Sequence, residues 1–404
     1  MEEMLLMDPE SLRFTPGLVA AVVSLVTVSF FLQGALSLLQ FRFLASENSA
    51  VDNRSLGLVR ERQWLLRKGV DHAMVLLLIP TGLIGEWFLL WNSSVAMPAV
   101  AASGALVFAA VAVHCLRCGV AASRPGAVWP DITAAAVAAG ALGTWLAVTL
   151  GGFLAGWAIW SVALIGWHCV LAGPLRAQGT VIWREYHENR PDLAELMQQV
   201  SQPLHRLRVR PAHSMDEPPN AGTAGMGPTT RLVLHENLLR TLRPRAVAAV
   251  VAHELGHVMG YHRLIYYGLA ALVTLPAFVA PHMSVAGADG SVSAMPAAFV
   301  LAGLYLALPL ACDWIAPAAN ALRRRMEFDA DRRAAALTSP DAIAAALRTL
   351  DRLSGSDRTP QQTLVAWFRA PYPSLAARCQ VLDAIRARKC PPGCTKSGSV
   401  GSTP

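Results

Sequence analysis

The sequence predicts a mainly α, polytopic membrane protein of about seven transmembrane helices with a polar α+β portion attached. Three observations predict it. The chain is 54% hydrophobic and only 15% charged, with a mean hydropathy of +0.40, well outside the usual composition of a soluble domain. Apolar runs of about 20 residues recur, each long enough to cross a hydrocarbon core of about 30 Å. Arginine and lysine gather between and after those runs, where positive charge sets orientation. The net charge of +7 is thereby accounted for, so the expected surroundings are a lipid bilayer and no nucleic acid is expected.

Residues 1–172 read as a bundle of about five spans. The first runs from Gly17 to Leu39. Its acidic approach, Glu2, Glu3 and Asp8, and the lack of a small-residue cleavage site predict an uncleaved helix rather than a signal peptide. Arg42, Arg54, Arg60, Arg62, Arg67 and Lys68 follow and place the next segment in the cytoplasm, with the N-terminus outside. Spans at 71–91 and 95–116 are joined by Asn92-Ser93-Ser94, and Arg117 and Arg124 mark a second cytoplasmic loop. Glu86, inside the second span, reads first as a carboxylate reaching the outer interface and second as a relay or substrate contact. The run from Ile132 to Ala172 is too long for one span, and Gly151-Gly152 predicts the hairpin between spans four and five. His168 near its end is expected to be buried and hydrogen-bonded. The seven cysteines are an odd, scattered set with no disulfide framework. Cys115 and Cys118 beside His114 lack a second pair and are not expected to bind metal, and Cys390 and Cys394 read as free thiols on a disordered tail, 390–404.

Residues 173–263 form the first polar part. Leu193 to Val200 reads as helical, Arg208-Val209-Arg210 as a short strand, Pro218-Pro219-Asn220-Ala221-Gly222 as turn-rich, and Arg231 to His235 as a strand after the breaker Gly227-Pro228. Pro244 then opens a helix. A transmembrane hairpin follows over 264–317, with spans at 264–285 and 296–316 carrying Pro276 and Pro309 as tolerated kinks. Residues 318–389 are helical and basic and form the second polar part on the cytoplasmic side.

Chemistry concentrates in the helix after Pro244, at His253-Glu254-Leu255-Gly256-His257. At about 100° per residue the two histidines share a face one turn apart, and Glu254 sits about a quarter-turn around. Two neutral imidazoles suit a zinc ion, and the adjacent carboxylate suits a base that takes a proton from water attacking a carbonyl. Ala246, Ala249, Gly256 and Gly260 share that side of the wheel and leave room for a metal, a third ligand and a substrate. The bland alternative, a chance match to a short pattern, is weakened by the two glycines, each costing about 1 kcal/mol in a helix interior.

A catalytic zinc takes a third protein ligand. His262 fails the spacing H-E-x-x-H-x-x-G-x-x-H, which requires histidine where Arg263 stands, and five residues from His257 it points off the metal face of a continuous helix. Glu327 and Asp331, four apart in Arg323-Arg324-Arg325-Met326-Glu327-Phe328-Asp329-Ala330-Asp331, are the better candidates: one can bind metal while the other hydrogen-bonds a ligand histidine. A solvated helix whose carboxylates pair with the arginines is the alternative.

These parts, with Pro219-Asn220-Ala221 before them and Tyr372-Pro373-Ser374-Leu375-Ala376-Ala377-Arg378 after them, make the stretch from Val209 to Arg378 resemble metallopeptidase family 48, the integral-membrane zinc peptidases of the HtpX-like and CAAX-prenyl endopeptidase kinds. The resemblance implies a cytoplasmic gluzincin-type α+β domain with one Zn²⁺ per chain, held by His253, His257 and Glu327. It implies Glu254 as general base, Asp331 as hydrogen-bond partner of a ligand, and a strand near Asn220 and Ala221 that grips an extended substrate by its backbone. Arg378 would lie near the reacting carbonyl. Tyr372 stands where the family's motif H-P-x-x-x-x-R has histidine, and five spans precede the site helix where an HtpX-like protein has two. The expected function is a membrane-embedded zinc endopeptidase acting on a peptide or membrane-protein segment, multi-pass in a bacterial cell membrane. The rival readings are a signalling protease of the antibiotic-sensor type that cleaves a cytosolic repressor, and a non-enzymatic scaffold or transporter with a relic metal site.

Overall fold

The computed structural model describes residues 16–46, most of 58–69, 143, 152–183 except 178, 207–211, 219–285, 294–353 and 363–389. The spans expected at 71–91 and 95–116, Glu86, the helix at 193–200 and the cysteines at 115, 118, 390 and 394 lie outside these residues. Two compact units divide the chain: one gathers residues 1–168, 265–320 and 359–370, the other residues 169–264, 321–358 and 371–404.

In the first unit, α1 (Pro16–Ser46) carries a stripe of buried polar side chains, Ser29, Gln33, Ser37 and Gln40, while Val28, Phe30, Phe31, Leu38 and Leu39 are exposed. An apolar exterior around a polar interior is stable when the surrounding solvent is hydrocarbon. The helix α2 (152–166) starts at Gly152, whose φ of 77° is left-handed backbone that glycine adopts without strain, at the expected turn between two spans. It passes through a π-helical turn, Trp167–Leu171, into α3 (Ala172–Arg176). Among the described residues two segments are long and apolar enough to cross a membrane, Thr27–Leu44 and Gly152–Pro174. His168 is partly buried and stacks on Tyr267, centroids 3.8 Å apart. Arg369 ties this unit together, donating to Glu61 at 2.8 Å and Ser37 at 3.1 Å with its guanidinium 3.4 Å above the Trp64 ring.

The second unit is built on a four-stranded sheet, β1 (Val181–Ile182), β2 (Leu207–Arg210), β3 (Ala221–Ala224) and β4 (Arg231–His235). Its order is β1-β2-β4-β3, with β2 parallel to β4 and β3 antiparallel to it. Strand β2 alternates, burying Leu207 and Val209. Strand β4 buries Leu232, Val233 and Leu234 in succession, as a central strand covered on both faces must. The sheet and α4 (Glu236–Thr241) pack against α5 (Pro244–Met259) through a core that includes Leu207, Leu234, Leu238, Val247, Val251 and Ala252. Proline at the first turn of α5 costs no hydrogen bond.

Helix α6 (His262–Val285) follows after one break. Helix α7 (Ala294–Leu337) runs unbroken for 44 residues, so Glu327 lies on the same helix as the last expected span. Helix α8 (Pro340–Leu353) turns Ile343, Ala344 and Ala346 into the core. After α9 (Thr363–Arg369), α10 (Leu375–Lys389) begins where the Ser374 hydroxyl accepts from the Ala377 N–H at 3.2 Å, an N-cap that satisfies a donor left free by the first turn.

Candidate metal centre

Helix α5 presents His253 and His257 one turn apart, and α7 brings Glu327 to them. The close approach of the two helices has a specific cause: a Cβ on Gly256 would sit 2.8 Å from the carbonyl oxygen of Ala330, nearer than real contacts allow. Gly256 thus makes room for the helix carrying Glu327, the one carboxylate of the group. The room expected at these small residues is taken at Gly256 by the helix that carries Glu327 and at Gly260 by the His262 ring, while Ala249 lines a cavity beside His253 and Glu254.

His253 Nε2 lies 3.2 Å from His257 Nε2 and 3.3 Å from Glu327 Oε2, and His257 Nε2 lies 3.5 Å from Glu327 Oε1. A tetrahedral zinc with ligand distances of about 2.0–2.1 Å separates its ligand atoms by roughly 3.3–3.4 Å, close to the distances from His253 Nε2 to His257 Nε2 and to Glu327 Oε2, while His257 Nε2 faces the other carboxylate oxygen. These residues form a group able to hold a metal ion, and two imidazoles with one carboxylate suit zinc chemically.

The other ring nitrogen of each histidine is engaged. His253 Nδ1 is 2.9 Å from Asp331 Oδ1, and Asp331 is fully buried. Arg378 grips Asp331 with two parallel bonds, Nε to Oδ2 at 2.7 Å and an Nη to Oδ1 at 2.6 Å, and a second Nη lies 3.6 Å from Glu327 Oε2. Arg378 therefore orders both Glu327 and Asp331, the hydrogen-bond partner of His253. His257 Nδ1 is 2.9 Å from Nδ1 of His262.

Charge at the centre is strongly redistributed. Burial opposes a charge on His253, but hydrogen bonds that its ring donates to Asp331 and Glu327, together with the nearby Glu254, outweigh it and raise its pKa to about 9. His257 is lowered to about 4, first by burial and then by His253. Burial pushes the Glu254 carboxyl above its usual range, against the pull of His253. For Glu327 burial works the other way from the result: the two histidines and Arg378 outweigh it and hold the carboxyl below its usual value.

Glu254 is clamped from the sheet. Thr223 donates its backbone N–H to Glu254 Oε2 at 3.0 Å, and its hydroxyl lies 3.4 Å from the same oxygen. The Thr223 carbonyl accepts from Arg263. Strand β3 is the outer strand. Because Asn220 accepts from the His235 N–H at 2.9 Å, alternation turns the even residues of β3 towards β4 and leaves the backbone groups of Ala221 and Thr223 on the open edge. The stretch at 219–222, turn-rich in sequence, is extended here because β4 offers it a partner.

A cavity of about 160 Å³ adjoins the centre, lined by Asn220, Ala221, Leu238, Val250, His253, Glu254, Ile343, Leu347, Leu350 and Arg378 among others. Of the residues expected from sequence, His253, Glu254, His257, Glu327, Asp331 and Arg378 come together in this way, and Asn220 and Ala221 lie on the wall. Tyr372 is not brought to them: its side chain is 64% exposed, and among the described residues it makes no hydrogen bond. Thr223, His262 and Arg263 were not read as partners of the site. The signal for the first was its position on an edge strand, for the other two the glycine that ends α5.

A two-histidine, one-carboxylate group on crossing helices, with Glu254 held by the edge of a small sheet, fits a metallopeptidase domain. The chain matches peptidase family M48 over residues 188–386. It is 28% identical over 198 residues to a protease HtpX homolog of Campylobacter concisus, covering 47% of this chain and 66% of that protein. It is 33% identical over 159 residues to one of Methylibium petroleiphilum, covering 36% and 53%. A third, from Methanocaldococcus jannaschii, is 30% identical over 171 residues, covering 42% and 60%. The chain thus spans less than two thirds of the length of these relatives. Its fold is similar to that of S. mikatae Ste24p in a crystal structure, with a TM-score of 0.63 at 16% identity over 90% of this chain and 98% of the other.

Proposed function

We propose that the chain is a membrane-embedded zinc endopeptidase with one metal ion per chain, held by His253, His257 and Glu327. The observation that carries this reading is the convergence of their side chains, with 3.2 Å between the two histidine Nε2 atoms and 3.3 and 3.5 Å from these to Oε2 and Oε1 of Glu327, beside the carboxyl of Glu254. When bound, zinc supplies a Lewis acid that polarises a carbonyl and lowers the pKa of water towards about 7.

The chain's own residues supply the rest. With Oε2 held by Thr223, Glu254 has Oε1 to take the proton of the attacking water and return it to the leaving amine, as a raised carboxyl pKa favours near neutral pH. Asp331 holds His253 with Nε2 facing the metal, and Arg378 keeps Asp331 and Glu327 charged. The open edge of β3 at Ala221 supplies a backbone carbonyl as partner for an extended peptide, its N–H being held by Asn220 Oδ1 at 2.9 Å. The substrate class is a peptide or a membrane-protein segment. The stretch of arginines around the second unit supports a cytoplasmic location for the site. Nothing in this arrangement favours a repressor-cleaving sensor protease, and a base clamped beside the metal donors has no use in a relic structural site.

The test pairs two variants of purified full-length protein. Glu254→Gln is expected to keep zinc and lose peptide hydrolysis by at least a thousandfold, in line with the 10²–10⁴-fold scale of general-base catalysis; Glu327→Ala is expected to lose the zinc itself. Wild-type turnover in the first variant, or full zinc occupancy in the second, would sink the assignment of that residue.

A further inference from the structure

A metal-binding imidazole needs its ligand nitrogen free of hydrogen and its other nitrogen protonated. At His253 that second proton goes to a carboxylate. At His257 it does not: Nδ1 meets Nδ1 of His262 at 2.9 Å. Two ring nitrogens at this distance require one N–H and one lone pair. With His257 Nε2 committed to the metal side, His257 Nδ1 carries the hydrogen and His262 Nδ1 accepts it. The single hydrogen of neutral His262 is then on Nε2, which lies 3.1 Å from Asp329 Oδ2. Asp329 in turn accepts from Arg333 Nε at 2.7 Å. With His257 Nε2 kept for the metal, each of the three contacts in the row Arg333, Asp329, His262, His257 then has one hydrogen and one acceptor.

The backbone is shaped for this contact. In a continuous helix His262 would project about 140° from His257. Helix α5 ends at Gly260, and Tyr261 adopts φ 51°, a left-handed conformation rare for an aromatic residue and costing about 1–2 kcal/mol. The reversal carries the His262 ring back over the end of α5, where it is only 7% exposed. A Cβ on Gly260 would lie 2.4 Å from His262 Nε2, so glycine is the residue that leaves the ring its place.

We propose that His262 and Asp329 are a positioning relay, in which His262 fixes the tautomer and ring plane of the metal ligand His257 and Asp329 fixes the tautomer of His262. The two metal histidines are thus anchored to the same helix, α7, by different means: His253 directly through Asp331, His257 through an interposed imidazole. The inference rests on the metal-site reading above.

The test uses full-length protein in detergent, loaded with zinc or with cobalt(II). The readouts are the rate of zinc transfer to a chromogenic chelator and the cobalt absorption bands, neither of which depends on turnover. His262→Leu, similar in bulk but without an acceptor, is expected to speed zinc release by about 10–100-fold, the usual cost of losing such a partner, and to shift the cobalt bands. His262→Gln, whose side-chain oxygen can accept from His257 Nδ1, is expected to recover at least half of the loss on a logarithmic scale. Asp329→Ala, at a side chain 34% exposed and outside the core, is expected to speed release by about tenfold. Wild-type release and bands in His262→Leu and Asp329→Ala would overturn the relay, as would a glutamine variant no better than leucine, which would make the ring a packing element. Failure of the wild-type chain to take up either metal would overturn the metal reading and the relay with it.

Discussion

Gly256 of α5 lies against Ala330 of α7 so closely that a single added methyl group would meet the Ala330 carbonyl oxygen at 2.8 Å and its Cα at 2.9 Å. This contact sets how far Glu327 stands from the histidines. Helix propensity alone would favour alanine at 256 by about 1 kcal/mol, whereas overpacking against backbone costs about 1–3 kcal/mol. Gly256→Ala is expected to lower zinc content below half of wild type and to lower the melting temperature. Full zinc occupancy by elemental analysis, with unchanged melting, would show that the helices are free to separate.

Arg378 and Tyr372 are expected to behave differently despite sharing one motif. Arg378→Ala strips the buried Asp331 of its bidentate partner, and leaving a buried charge unpaired costs about 3–5 kcal/mol; hydrolysis and zinc retention should both collapse. Tyr372→Phe removes a hydroxyl from a ring that is 64% exposed, and kcat is expected to fall less than tenfold. A hundredfold loss, the scale for a buried oxyanion donor, would mean that substrate draws the ring into the site.

The pairing of Asp331 also predicts an acid limb. Burial opposes its charge, but Arg378 and His253 outweigh burial and depress its pKa below 3.8. A depressed carboxyl contributes stability that is present above the unfolded value and is lost as pH falls through the folded one. Melting curves of wild type should therefore fall more steeply than those of Asp331→Asn below about pH 4. Parallel curves would show that the pair adds nothing pH-dependent.

The proposed orientation is checked by thiol labelling in a cysteine-free background. Cysteine at the exposed Ala387 on α10 should resist a membrane-impermeant reagent in intact cells, and cysteine at Ser291, in the loop expected outside, should react. The reverse pattern would place the site on the other face.

What could be read from the sequence was what obeys a local period. His253, Glu254 and His257 follow from the helical repeat alone, as does the pairing of Glu327 with Asp331 four residues on. His262 escaped because that same repeat was carried through Gly260 and Tyr261, where the helix stops; a tyrosine with positive φ leaves no mark in composition. Ala221–Ala224 contains only small residues and threonine, and it is a strand because β4 pairs with it, a non-local fact. Thr223 and Arg263 became site residues for the same reason, since one strand's edge decides whom they meet.

That edge has a consequence for what can be cut. At Thr223 the backbone N–H goes to Glu254 and the carbonyl to Arg263, and the Ala221 N–H goes to Asn220 Oδ1 at 2.9 Å, which leaves the Ala221 carbonyl as the outward backbone group of β3 that the proposed function offers to a substrate. In the proposed grip a guest chain is registered at one rung of the ladder and must arrive with its own N–H groups unspent. A helix or a paired strand has none to give. On that proposal the proteolytic clock for a client is set by how often a stretch of it is drawn out straight, so a folded protein and its frayed form are expected to differ in lifetime even when their sequences are identical.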